Sequence, residues 1–347
     1  TFARLILGLL IKSPHYIRLI GDRSLSKRDF ERVIIPLQKI GANFKVNKKK
    51  TLPLEIIGSS FANPITYFEK KGSAQCKSTV MLAALNSPGV TQIKAKKSRD
   101  HTENIFKYLS VPIIIKKNKH VDEIKIRGQK MLKSFKYKVP SDPSSCAFFI
   151  VLTLLSKNCE LRIKNVNVNK SRIGYIDILN KMGAKIEIRN MKKKYGEKQA
   201  DIFVKSQPIL KKVNCPPHLN SNLIDEFLII FLAAAKAKGV SSFSNLSELN
   251  KKESPRLKLG SKLLNQLGIK TKLTKDSIKI FGDPNVDIKK TINIKNFYKD
   301  HRIFMTSVIA ALTFGGHWKI SDINSYKSSF PSFLNIIKKL GYKFKFV

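Results

Sequence analysis

The feature that most restricts the fold of this 347-residue chain is an internal repeat. Four times, an amphipathic segment ends at a glycine and leads into a short alternating segment; these glycines are Gly41, Gly183, Gly268 and Gly341. Residues 105–109 form a degenerate copy, with Ser110 in the glycine position. Glycine suits the left-handed conformation that ends a helix, and period-two alternation is typical of a strand. The repeat therefore predicts helices that end at these positions, each followed by a strand.

The spacing of the copies indicates the size of the repeated unit. The intervals are roughly 70 to 85 residues, whereas a solenoid unit has about 20 to 50. Each unit must therefore contain more than one helix and several strands. This predicts an α/β (α+β) protein built from repeated multi-element units.

Segments that are apolar nearly all round predict buried helices, and they lie at 78–85, 147–155, 227–235 and 304–312. Polar, turn-forming residues open the first, second and fourth of them. Helix N-termini collect backbone N–H groups and partial positive charge, so several such starts suggest a small ligand with several negative charges. Any single start of this kind is more often only a helix cap.

Acidic and basic side chains concentrate between residues 222 and 256. Asp225 and Glu226 directly precede the apolar segment 227–235, and 252–256 brings together two cations, a carboxylate and a hydroxyl. Acids and bases beside buried surface are where pKa values are tuned. The simpler alternative is a capped core helix followed by a solvated charged turn.

Composition limits the class of protein. A hydrophobic fraction of 42% indicates a globular chain rather than a disordered one. The net charge of +42 allows nucleic acid or other anionic partners, but the lysines are spread along the whole chain. Their tight runs contain no interleaved aromatic residues. We therefore interpret the charge as a solvated surface and expect no nucleic-acid partner.

The four cysteines have neither CxxC nor metal-ligand spacing, which predicts reduced thiols in a reducing compartment. No apolar stretch approaches the roughly 20 residues that span a bilayer. We expect a cytoplasmic protein with no membrane partner.

Seven short motifs, in order, carry a family resemblance across essentially the whole chain. They are GDRSLSKR (21–28), SAQCKS (73–78), SRDHTE (98–103), VPSDPSS (139–145), IDE (224–226), KESPR (252–256) and DHR (300–302). Together they resemble the EPSP synthase family, the 3-phosphoshikimate 1-carboxyvinyltransferases. The SAQCKS and SRDHTE forms are similar to the branch that includes glyphosate-tolerant bacterial enzymes.

The resemblance implies two similar domains, each with three βαβαββ units, around a cleft that closes on the substrates. The domains are expected at 1–139, incomplete at its N-terminus, and at 140–347, with the hinge near Val139 and Pro140. Proline and turn residues also mark a break there.

The implied reaction transfers the enolpyruvyl group of phosphoenolpyruvate to the 5-hydroxyl of shikimate 3-phosphate and releases phosphate, in the shikimate pathway of aromatic amino-acid biosynthesis. It uses no metal or redox cofactor. Both substrates carry phosphate and carboxylate groups, so arginine forks are the expected ligands. The partners are then these two small molecules, and a monomer is expected.

The resemblance also assigns roles to residues. Asp225 corresponds to the general base on the 5-hydroxyl, and Glu253 and Lys252 correspond to the groups that handle the methylene proton. The expected phosphoenolpyruvate ligands are Arg28, Arg256 and Arg302. The expected shikimate 3-phosphate ligands are Ser73, Ala74, Gln75 (which also reaches the second substrate), Asp225 and Lys252, with Arg99 as a further phosphate contact.

The chain departs from the family pattern in several places. The family's first substrate motif and the Asn-Ser-Gly before the counterpart of Thr1–Arg4 are absent from the sequence. A missing N-terminal portion is therefore expected, and with it little or no activity from this chain alone. Asp29 replaces a proline beside Arg28, Ser141 replaces a glycine, and Pro255 replaces an aspartate.

Three other interpretations stay open at this point. The sister family that transfers enolpyruvyl to UDP-N-acetylglucosamine usually carries a reactive cysteine on a mobile loop, and none of the four cysteines has that context. A nucleic-acid-binding protein would bind tightly, with a steep dependence on salt. A degraded pseudoenzyme is distinguished only by activity.

Overall fold

A computed structural model describes residues 1–22 and 24–345, so Arg23 of the GDRSLSKR motif lies outside the described residues. The chain forms two compact units, each with its own hydrophobic core. The first contains Thr1–Lys138 and Lys193–Glu197, and the second contains Val139–Lys192 and the described residues from Lys198 onward. The assignment of the two expected domains to 1–139 and 140–347 stays a prediction.

The first unit alternates helices and strands. In chain order its elements are α1 (Phe2–Leu9), β1 (Ile17–Leu19), α2 (Glu31–Ile40), β2 (Asn43–Val46), β3 (Leu54–Ile57), β4 (Thr66–Glu69), α3 (Ala74–Ala84), β5 (Val90–Lys96), α4 (His101–Tyr108), β6 (Ile113–Lys117) and β7 (Val121–Arg127). The strands form one sheet in the order β1-β3-β2 and another in the order β4-β5-β7-β6.

The second unit continues the alternation. Its elements are α5 (Pro143–Leu155), β8 (Glu160–Asn167), α6 (Gly174–Lys181), β9 (Ile186–Lys194), β10 (Glu197–Lys205), β11 (Leu210–Lys211), α7 (Phe227–Ala235), β12 (Ala237–Phe243), α8 (Arg256–Gln266), β13 (Thr271–Leu273), β14 (Ile278–Gly282), β15 (Thr291–Ile294), α9 (His301–Thr313), β16 (His317–Ile320) and α10 (Phe333–Lys339). Its sheets have the orders β8-β10-β9, β11-β12-β14-β13 and β15-β16.

Two stretches of the chain show the repeated unit in full. Both β4-α3-β5-α4-β6-β7 and β11-α7-β12-α8-β13-β14 have the order βαβαββ. In each, the first two strands are parallel and the last two strands pair antiparallel with each other, within sheets of equivalent order. The predicted α/β fold with repeated multi-element units is confirmed.

The predicted helix ends are confirmed by the backbone. Gly41, Gly183, Gly268 and Gly341 have φ values of 127°, 91°, 80° and 92°, and Ser110 adopts φ 55°. A strand follows the first three glycines and Ser110, as predicted. The strand predicted after Gly341 is wrong for the described residues, because 342–345 pair with no neighbouring strand there.

Three helices begin earlier than their apolar segments predict, because a polar side chain caps each start. Helix α3 begins at Ala74, with Ser73 accepting a hydrogen bond from the Cys76 N–H. Helices α5 and α9 begin at Pro143 and His301, capped by Asp142 and Asp300. Such caps satisfy backbone donors that the helix leaves unpaired. The polar motif residues therefore lie in the first turns of buried helices.

Packing holds these helix starts in place. In α7 all nine residues are buried, as predicted for 227–235. In the first unit, α1 crosses α3 closely at Gly8, where a Cβ atom would lie 2.3 Å from the Thr79 carbonyl oxygen. None of the described helices combines the length and apolar character that a bilayer crossing requires.

The helix ends give a matched pair of stability tests. Ser110→Gly is expected to raise the free energy of unfolding by about 0.5–1 kcal/mol, because glycine adopts positive φ without steric cost. Gly268→Ala is expected to lower it by about 1 kcal/mol, since among the described residues no atom beyond its chain neighbours lies within 4 Å of the added Cβ, and only the backbone conformation opposes the change. Urea unfolding of both variants measures this, and a loss of stability in Ser110→Gly would contradict it.

Candidate active site

The ten site residues predicted from the sequence fall into two sets. Arg28, Ser73, Ala74, Gln75 and Arg99 belong to the first unit, and Asp225, Lys252, Glu253, Arg256 and Arg302 belong to the second.

The second-unit set is organised around Arg256, the first residue of α8. Its side chain is only 2% exposed. Its Nε donates to Asp300 Oδ2 at 2.9 Å, and its Nη2 donates to Glu253 Oε2 at 2.5 Å. Burial alone would lower the pKa of Arg256, but the surrounding carboxylates raise it above its usual value. Arg256 is therefore a permanently charged centre that holds several carboxylates.

Asp225 reaches the same centre from the start of α7. Its Oδ1 lies 3.5 Å from Arg256 Nη1 and 3.3 Å from Lys252 Nζ. The structure thus brings together Asp225, Lys252, Glu253 and Arg256, which the sequence separates by up to 31 positions. We call these four residues the carboxylate–cation cluster. The alternative of a solvated charged turn at 252–256 is wrong for Arg256, because that side chain is buried.

Arg302 joins this set through the backbone and through Glu226. Its Nη1 donates to the Asp225 carbonyl oxygen at 2.7 Å and lies 3.9 Å from Glu226 Oε1. Glu226 is buried and accepts a hydrogen bond from Ser144 Oγ. Burial raises the pKa of Glu226, although Arg302 opposes the shift. Arg302 is therefore fixed beside the base predicted at Asp225.

Asp300 supports both arginines. Besides accepting from Arg256, it accepts from Ser254 Oγ at 2.7 Å and from the Arg302 N–H at 2.8 Å. Burial would raise the pKa of Asp300, but the contact with Arg256 outweighs it and the pKa lies below its usual value. One buried carboxylate thus orients the α8 and α9 starts together.

In the first unit, Ser73, Ala74 and Gln75 form the start of α3. Glu69, the last residue of β4, accepts from the Ser73 N–H at 2.9 Å. Gln75 Oε1 accepts from Arg4 Nη1 at 2.7 Å. Arg4 Nη2 also donates to the Asp29 carbonyl oxygen at 2.6 Å. Arg4 therefore links Gln75 to the segment that carries Arg28.

Asp29 and Pro255, two departures from the family pattern, both lie beside helix starts. The Asp29 carboxylate accepts from the Glu31 N–H at 2.7 Å and lies 3.8 Å from Arg32 Nε, so it serves the start of α2. Pro255 directly precedes α8, where it is compatible with a helix start.

The backbone of Arg99 is fixed just before α4 by a hydrogen bond to its carbonyl oxygen. Lys77 Nζ donates to this oxygen at 2.9 Å and to Glu103 Oε1 at 2.5 Å. Ser78 Oγ and Thr102 Oγ1 are also hydrogen-bonded, at 2.7 Å. The SAQCKS and SRDHTE motifs therefore meet in the folded unit.

The sequence predictions omitted residues that complete these sets, namely Arg4, Lys77, Glu103, Glu226 and Asp300. A signal existed for each of them. Arg4 is the only charged residue of α1, and the other four stand inside the SAQCKS, SRDHTE, IDE and DHR motifs. Nothing in the sequence pairs Lys77 with Glu103, which are 26 positions apart.

Among the described residues, no group of three or more His, Cys, Asp or Glu side chains is placed to hold a metal ion. The carboxylate–cation cluster combines carboxylates that can accept or donate a proton with cations that can bind an anion.

Comparison with solved structures defines the class of protein. The chain matches EPSP synthase from Acinetobacter baumannii with a TM-score of 0.83 and 32% identity, covering 97% of this chain and 76% of that one. The enolpyruvyl transferase NikO from Streptomyces tendae has a TM-score of 0.74 at 14% identity, over 98% of this chain and 76% of that one, which indicates a shared fold. The fold is that of the enolpyruvyl transferases.

Sequence comparison defines the family. The sequence model of the family EPSP synthase (3-phosphoshikimate 1-carboxyvinyltransferase) matches residues 1–337 of this chain. The 3-phosphoshikimate 1-carboxyvinyltransferase of Ruthia magnifica is 40% identical, over 100% of this chain and 78% of that protein. The one of Zymomonas mobilis is 37% identical, over 99% and 77%. The chain belongs to the EPSP synthase family.

The buried Arg256–Asp300 pair predicts a stability effect. Asp300→Asn is expected to lower the free energy of unfolding by about 3 kcal/mol at pH 7, because it leaves a buried guanidinium without its main partner. The folded pKa of Asp300 lies below its usual value of 3.8, so this stabilisation is present above about pH 4 and is lost as the pH falls further. Urea unfolding of wild type and variant at pH 7 and pH 3 measures both effects.

A matched control uses the same chemical change at an exposed pair. Asp287, which pairs with exposed Lys289, is expected to tolerate Asp287→Asn with little change. Equal losses in the two variants, or a loss in Asp300→Asn that persists unchanged at pH 3, would contradict the prediction.

Proposed function

We propose that this protein transfers the enolpyruvyl group of phosphoenolpyruvate to the 5-hydroxyl of shikimate 3-phosphate and releases phosphate. The observation that carries the proposal is the carboxylate–cation cluster, where Asp225 lies within 3.5 Å of both Lys252 and Arg256. A carboxylate base among fixed cations suits the activation of a hydroxyl beside an anionic substrate. Membership of the EPSP synthase family supports this choice of substrates.

In the first step, the 5-hydroxyl oxygen bonds to the enol carbon of phosphoenolpyruvate. Asp225 accepts the hydroxyl proton, and the methylene carbon gains a proton from Glu253 or Lys252 and becomes a methyl group. The product is a tetrahedral intermediate that carries both substrates. A well-placed acid or base contributes about 10² to 10⁴ in rate.

In the second step, the bond from the central carbon to the phosphate oxygen breaks. A methyl proton returns to Glu253 or Lys252, and the carbon–carbon double bond forms again in the product. Negative charge moves onto the leaving phosphate, where fixed cations stabilise it. The phosphate takes up the proton that Asp225 accepted in the first step, which restores the base. Arg28, Arg256 and Arg302 are the proposed ligands of phosphoenolpyruvate.

The proposed ligands of shikimate 3-phosphate are Ser73, Ala74 and Gln75, with Arg99 as a further phosphate contact. Support comes from their place at the start of α3, where backbone N–H groups favour an anion. Gln75 is already oriented by Arg4 at 2.7 Å. Holding two reactants in a productive geometry can supply roughly 7 to 11 kcal/mol.

Because Glu253 accepts a hydrogen bond from Arg256, it competes with phosphoenolpyruvate for that arginine. Glu253 occupies the Arg256 Nη2 donor that a substrate carboxylate would use. We propose that phosphoenolpyruvate displaces Glu253 from this donor, which leaves the Glu253 carboxyl to handle the methylene proton.

The substrate assignment is tested by titration calorimetry with shikimate 3-phosphate and by phosphate release from the two substrates together. Binding that is accompanied by phosphate release supports the proposal. Binding without release supports the substrate assignment and agrees with the low activity expected of this chain, whose sequence lacks the family's first substrate motif. Absence of both contradicts the proposed function.

Relative to the phosphate release that the wild-type chain shows, Asp225→Asn is expected to lower the rate by about 10² to 10⁴, because the amide cannot accept the hydroxyl proton. The matched control is Asp287→Asn, which makes the same change at an exposed aspartate outside the site. A rate for Asp225→Asn within about threefold of the control would contradict the role of the base.

Glu253→Gln separates binding from chemistry. It is expected to lower turnover by about 10² or more, while phosphoenolpyruvate binds at least as tightly as to wild type because a charged competitor for Arg256 is removed. Calorimetry with phosphoenolpyruvate measures the binding. Weaker binding together with normal turnover would contradict both proposed roles of Glu253.

A nucleic-acid partner is not supported by any arrangement described above. The expectations of a monomer, a cytoplasmic location and no nucleic-acid partner stay predictions. Tight binding of single- or double-stranded nucleic acid with a steep salt dependence would contradict the last of them.

A further inference from the structure

Lys77 connects two segments of the first unit from a buried position. Its side chain is 1% exposed, and it lies one turn into α3. Its backbone N–H donates to the Ser73 carbonyl oxygen at 3.1 Å. Its Nζ donates to the Arg99 carbonyl oxygen at 2.9 Å and to Glu103 Oε1. One residue thus bonds directly to the backbone of both Ser73 and Arg99.

A second contact makes this connection rigid. Ser78, the next residue of α3, is hydrogen-bonded through its hydroxyl to Thr102 of α4 at 2.7 Å. Two adjacent residues of α3 therefore hold the start of α4 at two points. The backbone at Arg99, just before α4, has a fixed distance to the start of α3.

Stability alone does not account for a charged pair at this place. Lys77 and Glu103 are 1% and 4% exposed, and a buried ion pair is often no more stabilising than apolar side chains of the same volume. Burial raises the pKa of Glu103 despite the nearby ammonium, and its Oε2 has no hydrogen-bond partner among the described residues. The ammonium does something that an apolar side chain cannot, which is to bind the Arg99 carbonyl oxygen.

We propose that Lys77, held by Glu103, is a positioning residue that fixes Arg99 relative to Ser73–Gln75 and so sets the affinity for the phosphate-bearing ring substrate. The inference rests on the proposed function, in which these residues bind shikimate 3-phosphate. Lys77 acts through Arg99 and touches no substrate itself. Its role is geometric, because its charge is already matched by Glu103.

The test compares wild type with the double variant Lys77→Met/Glu103→Leu, which removes both charges at similar volume. Titration calorimetry with shikimate 3-phosphate is expected to give a dissociation constant raised by at least about 10-fold, since small misplacements of a binding group are costly. The melting temperature is expected to change little, because both partners are replaced by apolar groups. The control Val80→Ala, at a buried position of the same helix, is expected to lower the melting temperature and leave the affinity unchanged.

A second readout isolates positioning from a merely structural role. Arg99→Ala is expected to weaken binding in wild type and to have a clearly smaller effect in the double-variant background, because Arg99 is already misplaced there. Should the double variant fail to fold, Glu103→Gln replaces it in both measurements. That variant keeps the shape of the side chain and removes only the charge that holds Lys77, and a loss of at least about threefold is expected.

The outcomes separate the two levels of inference. Wild-type affinity in the charge-free variant, or an undiminished effect of Arg99→Ala in that background, overturns the positioning role and leaves the proposed function intact. Failure of the wild-type protein to bind shikimate 3-phosphate overturns the proposed function, and the positioning role with it.

Discussion

The arrangement of the second unit depends on a single buried guanidinium. Arg256 bonds to Asp300 through Nε and to Glu253 through Nη2, and it faces Asp225 through Nη1. Taking this cation out of water is expensive unless carboxylates surround it, so burial forces the starts of α7, α8 and α9 to converge. In a chain with 66 Lys and Arg residues against 24 Asp and Glu, such a concentration of acidic groups is a local exception. The overall positive charge therefore says little about the site.

The first unit also contains a buried cation that is paired with a carboxylate. There Lys77 and Glu103 form the buried pair, and the ammonium also holds a backbone carbonyl oxygen. In both units the groups proposed to meet substrate stand in the first turn of a helix or just before it, and a buried ion pair fixes that turn. Neither pair needs to be a large source of stability to be important. Each pair fixes the position of a chain segment that carries proposed ligands. Binding two anionic molecules in a productive arrangement requires such fixed positions.

The sequence predicted the elements well and their contacts poorly. Helix ends at Gly41 and Gly183 follow from local backbone preference, and burial of 227–235 follows from its apolar composition, so both were predictable. The motif residues were located by resemblance, but their partners were not. Arg4 bonds to Gln75, which is 71 positions away in the sequence. This contact depends on how α1 crosses α3 at Gly8. That Arg256 would be nearly inaccessible depends on Asp300, which arrives from another repeat. Contacts of this kind arise from the packing of whole elements, which periodicity does not encode.

The left-handed residues at the helix ends have a consequence for how such a chain diversifies. The repeats contain two kinds of helix terminus: a stopping pole, where α4 and α8 end before Ser110 and Gly268 at positive φ, and a starting pole, where other helices begin at a polar cap. The stopping pole is a matter of backbone geometry, and Ser110 shows that a residue other than glycine can occupy it. The starting pole is where Ser73, Asp142 and Asp300 differ from one copy to the next. Repetition of one scaffold thus provides several separate helix starts, and the polar residue at each start can differ while the backbone geometry of the stopping pole stays the same.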